Sequence, residues 1–191
     1  MQRVFCSLVL VFSLFYGQLA RAEDQRLPAM HRVAILLKML TYDQKLKLRC
    51  RNGIRIGVVG VSKNKDSMSV AEETFKAMQK GKGKRIEGLP LSVEMVEITG
   101  PQDVWKAVDQ KKLNILYLSP GLGDMLKKIS SFAQAKKILL ITGEARHLQT
   151  GAALGAVLRG EKPKILLHQK AAASQGASFD IRMSRIVERV D

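Results

Sequence analysis

Ile54-Arg55-Ile56-Gly57-Val58-Val59-Gly60 is the stretch that decides the fold. It is short, apolar and rich in β-branched residues, and it follows the turn pair Asn52-Gly53. With Arg55 its only polar side chain, it predicts a strand covered on both faces, the kind found inside a parallel sheet. Two similar runs follow, Leu113 to Leu118 and Lys137 to Ile141. Leu91 to Ile98 instead alternates strictly, which marks a strand exposed on one face. Between these runs the period changes to that of a helix. Residues 66–80 place Met68, Val70, Ala71, Phe75 and Met78 at helical spacing, and shorter helices fit 102–110 and 121–134. Strands alternating with helices imply an α/β domain with a mainly parallel sheet.

Both flanks extend this pattern. Residues 29–42 predict an opening helix on Met30, Val33, Ala34, Leu37 and Leu40, with Ile35, Leu36 and Met39 widening the apolar arc and only His31, Lys38 and Tyr42 facing away. A helix this apolar is either packed on a sheet or docked on a partner. Toward the C-terminus, Leu154 to Leu158 and Lys164 to His168 are separated by Arg159-Gly160-Glu161-Lys162-Pro163, a hairpin signal that predicts an antiparallel edge. Ala171-Ala172-Ala173 opens a short helix. The tail 179–190 has Met183, Ile186, Val187 and Val190 on one side and Arg182, Arg185 and Arg189 on the other, at helical spacing. The expected fold is a single-domain, Rossmann-like three-layer α/β sandwich, mainly parallel, with a C-terminal antiparallel hairpin.

The N-terminus sets the compartment. Arg3 precedes an apolar run from Val4 to Tyr16, and Ala20-Arg21-Ala22 follows. These are the three parts of a secretory signal peptide, predicting cleavage after Ala22. Residues 23–28 then form a loose leader and 29–191 the domain. Removing Arg3 and Arg21 from 32 basic residues leaves 30 against 17 acidic ones, a net of +13 for residues 23–191. A chain exported from the cytoplasm does not meet nucleic acid routinely. The charge therefore belongs to solvated helix faces or to an anionic surface, partner or ligand. Cys50 is the one cysteine after the signal peptide, so no internal disulfide forms in the mature chain. It is either buried or able to pair two chains in a homodimer. If the site is partly exposed, Cys50→Ser costs less than about 1.5 kcal/mol.

Motifs for catalysis and metal binding are absent. There is no nucleophile elbow, no His-Glu-x-x-His and no phosphate-binding loop. His31, His147 and His168 are scattered and signal no metal site, and Gly57 and Gly60 do not make a dinucleotide fingerprint. The expectation is a protein that is not an enzyme and has no cofactor. What remains is the carboxyl edge of the sheet, where open α/β folds hold ligands. The residues placed there are Ser62, Ser119, Gly121, Gly123, Thr142 and Glu144. Ser119 is read as the cap of the following helix, leaving backbone N–H groups for a small anionic ligand.

Four stretches together resemble the YfiR-like family of bacterial periplasmic proteins. They are His31 to Lys38, the strand Ile54 to Gly60, the segment Lys84-Arg85-Ile86-Glu87-Gly88-Leu89-Pro90-Leu91-Ser92-Val93, and the run that begins Ile138-Leu139-Leu140-Ile141-Thr142 and continues through the hairpin to the tail. The order matches over roughly residues 29–190. Departures are Leu40-Thr41-Tyr42-Asp43 where the family carries Phe-x-x-Trp-Pro, and His168 where it often has Asn. The resemblance implies a periplasmic regulator that binds the outer domain of an inner-membrane diguanylate cyclase of the YfiN type. Such a regulator holds the cyclase off and lowers cyclic di-GMP, a population shift toward the state it binds. The arginine ridge at Arg182, Arg185 and Arg189 is the surface expected to meet that partner.

Overall fold

A computed structural model describes residues 26–190, save Lys82, Ile181, Arg182, Ser184 and Arg185. The expected signal peptide lies outside the described residues, as do Arg182 and Arg185 of the arginine ridge. The deciding stretch is strand β1 (Ile54–Val61), and it lies inside the sheet as its composition requires. Helix α1 (Ala29–Leu40) and a single turn, α2 (Leu46–Arg49), precede it. Then come α3 (Lys65–Gln79), a two-residue β2 (Arg85–Ile86), β3 (Leu89–Ile98), α4 (Pro101–Lys111), β4 (Ile115–Leu118), α5 (Met125–Lys136) and β5 (Leu139–Thr142). The chain continues through α6 (Ala145–Leu148), β6 (Leu154–Arg159), β7 (Lys162–Leu167), α7 (Gln169–Ser174) and β8 (Val187–Arg189).

The sheet order is β2-β3-β1-β4-β5-β6-β7-β8, with β3, β1, β4, β5 and β6 parallel. From β1 the chain winds outward to β3, then returns across β1 to β4 and proceeds the other way. The helices follow the winding. α1, α3 and α7 pack on one face with Ile54, Ile56, Val58, Ile115, Tyr117 and Ile141. α4, α5 and α6 pack on the other with Val59, Val61, Leu116, Leu118 and Leu140. This is the expected doubly wound, three-layer α/β architecture. Gly57 and Gly60 serve that packing. A Cβ on Gly57 would come 2.7 Å from Leu113, and one on Gly60 would come 2.8 Å from Ala71 of α3.

Several local expectations are corrected. The opening helix ends at Leu40 rather than Tyr42, and its buried stripe includes Arg32. The β6–β7 hairpin is antiparallel as expected, but it is not the edge, because β8 pairs parallel to β7 beyond it. The tail was expected to be helical, yet its end is a strand. Val187 packs with the α1/α3 side and Val190 with the α4/α5 side, which suits the two-residue period of a strand and not a helical stripe. Arg189 therefore stands exposed on a strand instead of continuing a helical ridge. The leader is not loose throughout: Leu27 is buried. Cys50 is also buried, so its thiol cannot reach a second chain, and burial pushes its pKa up.

Buried polar groups tie the ends of the domain together. Asp43 accepts from Arg49 Nη2 at 2.8 Å and from the backbone N–H groups of Lys45 and Ser178 at 3.0 and 2.9 Å. It thus fastens the turn after α1 to the segment after α7. No helix among the described residues is long and apolar enough to cross a membrane.

Candidate functional site

Where the winding reverses, between β1 and β4, the loops at the strand ends splay apart and leave a crevice. Three loops converge there: 62–64 after β1, 119–124 after β4, and 143–144 after β5. Asn64 caps α3, its Oδ1 accepting from Ser67 N at 2.9 Å. Its amide packs on Gly121, where a Cβ would come 2.4 Å from Nδ2 and the backbone has φ of +80°. Both the space and the conformation therefore require glycine at 121.

On the α5/α6 side this edge holds a half-open cavity of about 430 Å³. Its walls are Gly121, Leu122 and Gly123 of the β4–α5 loop, Leu126 of α5, and Arg146, His147, Gln149 and Thr150. A hollow of about 540 Å³ between α5 and α7, lined by Lys127, Ser130, His168 and Lys170 among others, is larger but lies away from the strand ends. Position in the fold favours the smaller cavity as the site.

His147 is held rigidly in that wall. Thr142 Oγ1 donates to Leu118 O at 3.0 Å, so the 2.9 Å contact with His147 Nδ1 must be donated by the ring. Glu144 N adds a third contact to the same hydroxyl at 3.1 Å. The ring is thus the Nδ1–H tautomer, and Nε2 keeps its lone pair. Burial, reinforced by the Arg146 charge, pulls its pKa down to about 4. Arg146 is exposed and lies 3.7 Å from Glu144 Oε2.

The other side of the same edge is closed. Arg26 reaches across it, donating to both Asp66 oxygens at 2.7 and 2.8 Å and to Glu144 Oε1 at 2.6 Å. Asp66, beside this guanidinium, has its pKa held below the usual carboxylate value. Beneath it, Arg32 donates to Leu27 O and Thr74 Oγ1, both at 2.8 Å, and its guanidinium lies 5.6 Å from the centre of the Tyr117 ring. A Cβ on Gly143 would come 2.6 Å from Arg32, so this close approach needs glycine.

Of the residues expected at the site, Gly121 and Gly123 line the cavity and Glu144 sits on the ridge dividing the two sides. Ser62 is exposed at the end of β1. Thr142 is fully buried and orients His147 instead of meeting a ligand. Ser119 is not a helix cap. α5 begins six residues later, and the Ser119 hydroxyl is buried without a partner. The expected cap failed because Pro120-Gly121-Leu122-Gly123 forms a loop that delays the helix. Arg26, Arg32, Arg146 and His147 were missed as site residues. Arg32 had a signal, since position 32 falls on the apolar stripe of α1, where an arginine needs a reason. Arg26 and Arg146 had none, because the partners of Arg26 are distant in sequence and Arg146 is itself exposed like any surface arginine. Among the described residues, no group of three His, Cys, Asp or Glu side chains could hold a metal ion.

No family model matches the chain, and no curated protein matches it. Solved structures do. An ABC domain from Streptococcus pneumoniae, solved in complex with L-Trp, superposes with a TM-score of 0.62 at 16% identity, covering 86% of this chain and 62% of its own. A conserved domain protein from Vibrio cholerae gives 0.61 at 12% identity, covering 88% and 61%. A ligand-free substrate-binding protein with adhesive properties from Clostridium difficile gives 0.55 at 16%, covering 78% and 58%. At these identities the likeness establishes the α/β fold. The chain spans about three fifths of the length of each.

Proposed function

We propose that the protein is a binding module for a small anion-bearing ligand, seated in the cavity at the carboxyl edge of the sheet. The observation that carries this reading is a half-open cavity of about 430 Å³ at the carboxyl edge of the sheet, between the loops after β4 and β5 and next to the reversal of strand order at β4. Arg146 supplies the charge, and the Gly121–Gly123 loop lets a ligand approach backbone without intervening side chains. Binding suits the site better than catalysis. A histidine with a pKa pulled down to about 4 is a weak proton acceptor near neutrality. Two of the similar folds are described as an L-Trp complex and a substrate-binding protein, which supports the same class of role. The experiment is titration calorimetry with inorganic phosphate, succinate and L-tryptophan. At least one should bind saturably, and Arg146→Ala should weaken it about tenfold, the worth of one charged hydrogen bond. Binding untouched by Arg146→Ala would refute the site.

The resemblance to YfiR-like proteins adds a second reading: the module is periplasmic, and an inner-membrane diguanylate cyclase responds to it. Its supports are the signal-peptide pattern, the four matching stretches, and Met30 standing about half exposed, at 48%, on α1. Co-expression with a candidate cyclase and measurement of cyclic di-GMP tests it. An unchanged level would remove it and leave the binding module standing.

A further inference from the structure

Arg26 is bound as a ligand would be. Its guanidinium fork takes two carboxylates, Asp66 from the first turn of α3 and Glu144 from the loop after β5, which only the fold brings together. Bidentate capture of this kind recognises guanidinium groups. Under the arm the opposite demand goes unmet. Arg32 Nε and Ser119 Oγ are buried and have no hydrogen-bond partner. The two converge. Leu118 pairs with Thr142, so Ser119, the first residue past β4, comes beside Gly143, the first past β5. A Cβ on Gly143 would lie 3.1 Å from Arg32 Nε. Alternation along β4 puts Ser119 on the Tyr117 side of the sheet, the side of α1 and α3. Buried polar atoms without partners are rare, and here both can donate to one acceptor.

We propose that this crevice is a second ligand site, for a small zwitterion, which Arg26 keeps shut in the present structure. The ligand's guanidinium or ammonium group replaces Arg26 between Asp66 and Glu144. Its carboxylate accepts from Arg32 Nε and the Ser119 hydroxyl once the arm lifts. The site lies on the opposite side of the sheet from the anion cavity and does not use the glycine loop; Glu144, which Arg146 approaches at 3.7 Å, stands between the two.

The full chain with Arg26→Ala tests this by calorimetry, with circular dichroism as the folding control. L-arginine is the zwitterionic probe, and agmatine carries the same guanidinium without the carboxylate. Relative to the unaltered protein, Arg26→Ala should bind L-arginine about tenfold tighter, the worth of one charge-assisted contact released from competition. Agmatine should bind the variant more weakly than L-arginine does. Adding Asp66→Asn should abolish the gain. Equal binding with and without Arg26, or a gain that survives Asp66→Asn, overturns the proposal. If Arg26→Ala does not fold, hydrogen exchange on the unaltered protein decides. Saturating L-arginine must speed exchange at the Arg32 amide, which donates to Pro28 O of the arm at 3.0 Å, and unchanged exchange there overturns the proposal equally.

Discussion

Acid should weaken this protein through His147, and the size of the effect follows from its surroundings. The ring is 3% exposed, donates from Nδ1 to Thr142 and has its pKa pulled from 6.5 to about 4 by burial. The folded state therefore keeps the ring neutral where the unfolded chain protonates it. As pH falls from 6.5 to about 4, the unfolded chain binds the extra proton and stability drops. Below about 4 both states are protonated and the contribution stops changing. A gap of this size corresponds to a loss of about 3 kcal/mol. His147→Asn keeps a donor near the Nδ1 position but cannot titrate. It should cost about 1–2 kcal/mol at pH 7.5, through lost packing. The assay is urea unfolding of both proteins at several pH values between 7.5 and 4. The unaltered protein should lose about 3 kcal/mol more than the variant across that range, so that a deficit of about 1–2 kcal/mol for the variant at pH 7.5 becomes an advantage of similar size at pH 4. A difference that stays constant with pH would show that His147 titrates alike in both states, and the burial argument would fail.

Other consequences concern the framework. Asp43→Asn leaves Arg49, whose side chain is 6% exposed, without its charge partner, and should cost about 3 kcal/mol by chemical denaturation. Cys50→Ser puts a hydroxyl in an apolar setting and should cost about 2 kcal/mol, above the ceiling that a partly exposed site would allow. The Cys50 thiol should also resist thiol reagents until the protein unfolds, as rates of labelling would show. Gly60→Ala drives a methyl into Ala71 and Met68 of α3 and should lower stability by about 1–3 kcal/mol in the same unfolding assay.

The strands and their order of faces were legible because burial on both sides leaves a continuous apolar run, as at β1, β4 and β5. Strand and helix boundaries were less so. The helices α4 and α5 end on Lys112 and Lys137 in the left-handed conformation, with φ of 52° and 57°. Glycine normally marks such an end, so the junctions with β4 and β5 carried no signal. The tail misled because Met183, Ile186, Val187 and Val190 fit a helical stripe, while pairing with β7 decides the structure of its last residues. Asp43 and Arg32 escaped for a common reason. A buried charge is satisfied by groups far along the chain, Ser178 for one and Thr74 for the other. The carboxyl edge itself was legible from the alternation of elements alone. Which of its residues face a cavity, as Arg146 does, and which support it from beneath, as Thr142 does, depended on the lengths of the loops.

The binding site at that edge is tested most directly by titrating isotope-labelled protein with inorganic phosphate and succinate and following backbone amide resonances. Saturable shifts should appear at Gly121, Gly123, Arg146 and His147, and in Arg146→Ala should need about tenfold more ligand to reach the same extent. Shifts spread over the surface lysines, or gathered at Lys127 and Lys170 in the hollow between α5 and α7, would contradict the account.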